Sequence, residues 1–168
     1  MIETKETEFL SQLQMHKGIL HKVSRMYMDT QEDREDLRQE IIIQLWKSYN
    51  SFKKESEFST WMYRVAINTA ITYFKKEKNH IDTLYTAEMP ERSSTEYDAT
   101  KDQQMEQFYK AVHELKPVEK ALIFYFLEGL SHKKIGESLG ISEINARVKL
   151  NRTKEKLQNI IKTNEYEL

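Results

Sequence analysis

The chain has 168 residues, 39% of them apolar and 32% charged, with a formal net charge of −1. That length holds one ordinary domain or two small ones, and so lean an apolar content restricts the chain to small cores under a charged surface. The absence of cysteine excludes disulfides, cysteine-ligated zinc and thiol catalysis, and four glycines with two prolines leave few helix breakers.

Residues 3–28 carry Phe9, Leu13, Ile19, Leu20, Val23, Met26 and Tyr27 at helical spacing, which predicts a first helix. Neither an apolar signal segment in the first thirty residues nor a run of roughly 18 apolar residues is present, so a cytoplasmic protein without membrane insertion is expected. Asp29 or Thr30 suits the N-cap of a second helix, running through DLRQEIIIQLWKSY to about Asn50. Its stripe of Asp36, Gln39, Glu40, Ile43 and Trp46 joins acids to a tryptophan, a pattern suited to a partner surface. DTQEDREDLRQE spaces oxygen ligands like a calcium loop, but Arg34 stands where such a loop needs glycine, so no metal is expected.

The polar loop SFKKESE precedes a third helix, with Ser59 or Thr60 as its cap and an end near Lys78. In EFSTWMYRVAINTAITYFKK, Trp61 falls on the same helical face as Arg64, Asn68, Thr72 and Lys75. Met62, Ala66, Ala70, Tyr73 and Phe74 gather opposite. The bulkiest apolar ring of the segment thus lies in its polar stripe. Residues 79–105, with Pro90, the run ERSST and few large apolar side chains, predict a flexible acidic linker, bounded as 81–104 between domains 1–80 and 105–168.

Periodicity returns near Met105, and Pro117 suits the first turn of a helix ending at Gly129. Ser131 caps a short helix to Leu139, Gly140 supplies a positive φ, and Ser142 caps a last helix to about Lys162. A short capped helix, a glycine turn and a longer basic helix make a helix-turn-helix. Leu130, Ile135, Leu139, Ile141, Ala146, Leu150 and Leu157 form its inner face. Asn145, Lys149, Arg152 and Lys156 cluster outside with Ile144 and Val148. Lysine and arginine neutralise phosphates, asparagine and arginine contact base edges in pairs of hydrogen bonds, and apolar side chains meet thymine methyls.

Charge follows the same plan. Residues 61–80 hold four Lys+Arg against one Asp+Glu, and 131–162 hold eight against three, while 81–106 hold two against seven. Two basic islands around an acidic connector suggest two contacts on one long polyanion. No period-two alternation and no repeat occurs, so the expected fold is all-α, with two small helical domains. The five histidines lack ligand spacing, and no phosphate loop or nucleophile elbow is present, so neither catalysis nor a cofactor is expected.

Three stretches together resemble the sigma-70 family, specifically its extracytoplasmic-function (ECF) RNA polymerase sigma factors. DREDLRQEIIIQLW looks like the segment that binds the polymerase β′ clamp helices. FSTWMYRVAINTAITYF is similar to the −10 melting and recognition helix, and GLSHKKIGESLGISEINARVKLNRTKEKL to the −35 helix-turn-helix. The resemblance implies a sigma region 2 domain over 1–80 and a region 4 domain over 105–168. It implies polymerase contacts at Asp36, Gln39, Glu40, Ile43 and Trp46. The −10 contacts it implies are Lys53, Lys54, Phe58, Trp61, Arg64, Asn68, Thr72 and Lys75, with the loop Lys53 to Phe58 holding a flipped base. For the −35 element it implies Ile144, Asn145, Val148, Lys149, Arg152 and Lys156. Its partners are core RNA polymerase through the β′ clamp helices and β flap, promoter DNA, and an anti-sigma factor. Gly136 replaces the family's usual alanine and Asn145-Ala146 a common Thr-Val, changes expected to remove packing volume. Two other readings are a stand-alone helix-turn-helix regulator and a sigma mimic that sequesters a regulator.

Overall fold

Thr30 shows how closely local chemistry sets the helix limits: its Oγ1 accepts the Asp33 N–H at 3.1 Å, and the helix starts at the next residue. The computed structural model describes residues 4–83 and 101–166. Within them lie eight α-helices and no strand: α1 (Lys5–Met15), α2 (Lys17–Tyr27), α3 (Gln31–Ser48), α4 (Phe58–Thr83), α5 (Lys101–His113), α6 (Pro117–Leu127), α7 (His132–Leu139) and α8 (Glu143–Tyr166). A 3-10 turn over Tyr49–Ser51 follows α3. The all-α class is therefore the one expected. The chain divides into two compact units, Met1–Tyr85 and Thr86–Leu168.

In the first unit α2, α3 and α4 pack on one another. Leu37, Ile41 and Leu45 recur every four residues on α3 and are fully buried, as are Val23 on α2 and Met62, Ala66, Ile67 and Ala70 on α4. Each large aliphatic side chain in such a core contributes about 1.5–3 kcal/mol. The single helix expected over 3–28 is broken at His16, whose φ of −111° and ψ of 18° end α1 and begin α2. The two pieces bury different faces: α1 buries Phe9 alone, α2 a stripe of Ile19, Leu20, Val23, Met26 and Tyr27. α4 also starts earlier than expected. Burial of the Phe58 ring draws the first turn back, so Trp61 N–H already bonds the Glu57 carbonyl at 3.2 Å and neither Ser59 nor Thr60 is the cap.

In the second unit α8 packs against α5, α6 and α7. α6 is buried from Lys120 through Tyr125. Pro117 opens it as expected, and the Lys116 N–H donates to the Glu119 carboxylate at 2.8 Å across its first turn. Most of the segment expected as a linker lies outside the described residues, and α5 begins at Lys101, ahead of the periodicity seen from Met105.

Candidate nucleic-acid interface

On α3 the buried Leu37–Ile41–Leu45 row forces the opposite side to solvent. Asp36 and Gln39 are exposed there, Ile43 is 46% exposed and Trp46 45%. Glu40 is half-buried and accepts a hydrogen bond from Gln44 Nε2 at 2.9 Å. Two large apolar side chains left open beside carboxylates make an amphipathic strip, the composition of a protein-contact surface.

Past the end of α3 the rings form one cluster. Tyr49, Phe58 and Phe9 are buried in it, with Phe9 5.0 Å from Trp46 and 5.1 Å from Tyr49. Trp61, half-buried, lies 4.9 Å from Phe52, 5.4 Å from Phe58 and 6.2 Å from Tyr49. Its place on the polar stripe is thus explained by the turn and loop after α3, a platform that the helical pattern of α4 alone does not reveal. The aromatic spacing Trp46, Tyr49, Phe52 and then Phe58, Trp61 carried the missing signal.

Beyond Trp61, α4 exposes Arg64, Asn68, Thr72 and Lys75 along one side, while Met62, Ala66, Ile67 and Ala70 are fully buried on the other. The Thr72 hydroxyl donates to the Asn68 carbonyl at 3.0 Å and keeps its acceptor capacity. Lys53 is exposed. Lys54 adopts a φ of 57°, which a non-glycine residue rarely does, and its ammonium pairs with Glu8 at 2.9 Å. That carboxylate holds the Lys54 pKa above its ordinary value. The expected base-pocket loop therefore has a buried wall, Phe58, and two cations at its rim, one of them engaged.

In the second unit Ser131 Oγ accepts the Lys134 N–H at 3.2 Å and Ser142 Oγ the Asn145 N–H at 3.1 Å. Gly140 between them has φ +70°, the left-handed turn expected. Ile135, Ala146, Leu150, Thr153 and Leu157 are buried; Ile144 is 69% exposed, and Asn145, Val148, Lys149 and Arg152 stand outward. Lys156 differs from its grouping with these residues. Its ammonium bonds Glu119 at 3.0 Å, tying α8 to the start of α6. Burial raises the Glu119 pKa, but the Lys116 N–H and the Lys156 ammonium outweigh it and hold the carboxyl below its usual range. Lys154 lies 3.6 Å over the Phe126 ring, a second brace between the same two helices. Among the described residues no group of histidines or carboxylates is arranged to hold a metal, and no helix is long and apolar enough to cross a membrane.

Comparison with known proteins gives the family. Residues 13–80 match sigma-70 region 2 and residues 105–157 match sigma-70 region 4. The chain is 32% identical to the RNA polymerase sigma-H factor of Pseudomonas aeruginosa over 123 residues, covering 71% of this chain and 55% of the relative. It is 27% identical to the ECF RNA polymerase sigma-E factor of Haemophilus influenzae over 144 residues, covering 79% and 76%. The chain thus spans about half of one curated relative and three-quarters of the other. A solved structure of the Bartonella quintana sigma factor RpoE, in complex with the anti-sigma factor NepR, shares the fold with a TM-score of 0.71 at 18% identity, over 92% of this chain and 97% of that one. The chain belongs to the sigma-70 family of RNA polymerase sigma factors, and within it to the ECF type.

Proposed function

We propose that this chain binds core RNA polymerase, places α8 in the major groove of the −35 element and opens the duplex at −10. One observation carries the reading: α4 presents an exposed row of Arg64, Asn68, Thr72 and Lys75 that begins at an aromatic platform, in the same chain as a helix-turn-helix. The α3 strip of Asp36, Gln39, Glu40, Ile43 and Trp46 is the polymerase contact. Lys53, Lys54, Phe58 and Trp61 meet the strand junction, and Ile144, Asn145, Val148, Lys149 and Arg152 read the −35 groove, with Lys156 at its edge. The domains act as region 2 over 1–80 and region 4 over 105–168, with 81–104 joining them.

The mechanism is selective binding; this chain makes and breaks no covalent bond. Unstacking a base costs a few kcal/mol, and a pocket that holds the flipped base offsets it. Each base stacked on an aromatic ring returns about 1–3 kcal/mol. The Bartonella neighbour was solved with its anti-sigma factor, which supports a partner of that kind here. A stand-alone regulator would use the helix-turn-helix but leave Ile43 and Trp46 exposed without purpose. The test is retention of the chain by core polymerase. Wild type should be retained, and Asp36→Arg should bind at least about tenfold more weakly. Equal retention of both, or of neither, would overturn the polymerase assignment. Permanganate reactivity of unpaired thymines at −10 checks strand opening.

A further inference from the structure

Between α1 and the loop before α4 lies a cavity of about 370 Å³, lined by Glu8, Gln12, His16, Tyr49, Lys54 and Phe58 among others. Its loop side is the one assigned above to a flipped base. Its α1 side has no such role yet, and α1 (Lys5–Met15) stands largely outside the residues that match region 2, 13–80. Three contacts nevertheless hold α1 against the pocket. Phe9, 3% exposed, is seated among Trp46, Tyr49 and Phe58; Glu8 bonds Lys54; and the His16 ring stacks on Phe58 at 5.8 Å and 26°. The Glu8 contact reaches the one non-glycine residue with positive φ among the described residues, so α1 helps to fix the loop in its unusual conformation.

Gln12 stands half-buried in this wall, and its carboxamide has no hydrogen-bond partner among the described residues. A volume of 370 Å³ is at the lower end for a ligand pocket. It has the two things a flipped base needs, aromatic faces to stack on and polar groups for its pairing edge. The Gln12 amide offers an acceptor beside a donor, and the Glu8 and Glu57 carboxylates lining the same cavity are acceptors only. An amide's adjacent acceptor and donor can pair with the donor and acceptor that any base carries on its pairing edge, so the way the wall holds Gln12 decides which edge fits. The cavity adjoins the α4 row through Phe52, which lines it and lies 4.9 Å from Trp61.

We propose that α1 forms the second wall of the −10 base pocket and that Gln12 is its specificity-determining residue, reading the pairing edge of the flipped base. The inference rests on the sigma-factor reading. It is tested with holoenzyme assembled from core polymerase and the full chain, transcribing a template library with randomised −35 and −10 segments. Sequencing the transcribed templates gives a base preference at every position. Wild type should favour one base at one −10 position. Gln12→Ala should reduce that preference about tenfold at that position only, with −35 preferences and polymerase affinity unchanged. Gln12→Glu, which loses the donor, should change which base is preferred there. Identical preferences for wild type and Gln12→Ala, or a uniform loss at every position, would overturn the inference while leaving the sigma reading intact. A wild-type holoenzyme that transcribes no template would overturn both.

Discussion

A methyl group built on Gly136 would lie 2.7 Å from the Ile141 carbonyl oxygen and 3.2 Å from the Ser142 carbonyl. The sequence suggested the reverse, that a glycine in place of alanine leaves packing volume unfilled. The turn after α7 instead folds back onto Gly136, whose own carbonyl accepts the Ile141 N–H at 2.9 Å. The intruding atoms belong to the backbone and cannot rotate away. Gly136→Ala is therefore expected to destabilise the second unit by about 1 kcal/mol, since overpacking of about 1–3 kcal/mol exceeds the roughly 1 kcal/mol helix benefit of alanine. A lowered urea midpoint checks this, and a raised one refutes it. Lys120 makes a second residue-scale case. It is 1% exposed on α6, and burial lowers its pKa from 10.5 to about 8. Between those values the unfolded chain holds a proton that the folded chain does not, so this group makes stability rise with pH across the window. Below pH 8 the full cost, up to about 3 kcal/mol, is present. Lys120→Met should raise stability at pH 7 and narrow its advantage over wild type as pH climbs toward 10.5, measured as urea midpoints of both proteins.

At the scale of elements, α8 separates two kinds of cation. Lys149 and Arg152 face outward, whereas Lys154 and Lys156 brace the helix against Phe126 and Glu119. Lys149→Ala and Arg152→Ala should each reduce the slope of log affinity against log salt on −35 DNA by about one. Lys156→Ala should alter that slope less and lower stability instead. The starts of α3, α7 and α8 and the end of α7 were legible because small polar caps and glycines act locally: Thr30, Ser131, Gly140 and Ser142 all do what their chemistry dictates, whereas α4 runs to Thr83, past the end expected near Lys78. The break at His16 and the early start at Phe58 were not legible. Gly18 beside the break lies inside α2 and does not by itself mark it, and no cap marks the start at Phe58; both follow from where Phe9 and Phe58 must go to reach the ring cluster. The same cause hid the α1 wall, since Glu8 and Lys54 are 46 residues apart in the chain.

At the scale of the molecule, each described unit closes its own core, Leu37, Ile41 and Leu45 in one and Leu122, Ile135 and Leu150 in the other. Two separate 3.6-residue patterns in the chain made that arrangement readable without knowledge of any long-range contact. The exposed row on α4 has one further consequence. From Trp61 to Lys75 the helix rises about 21 Å, at 1.5 Å per residue. Successive phosphates of a strand in B-form geometry advance about 3.4 Å, so the row can address about six of them. An extended single strand passes fewer bases over the same length. If the row reads the −10 element as proposed, the helix is a ruler that caps its vocabulary, and promoter information beyond about half a dozen letters is written elsewhere.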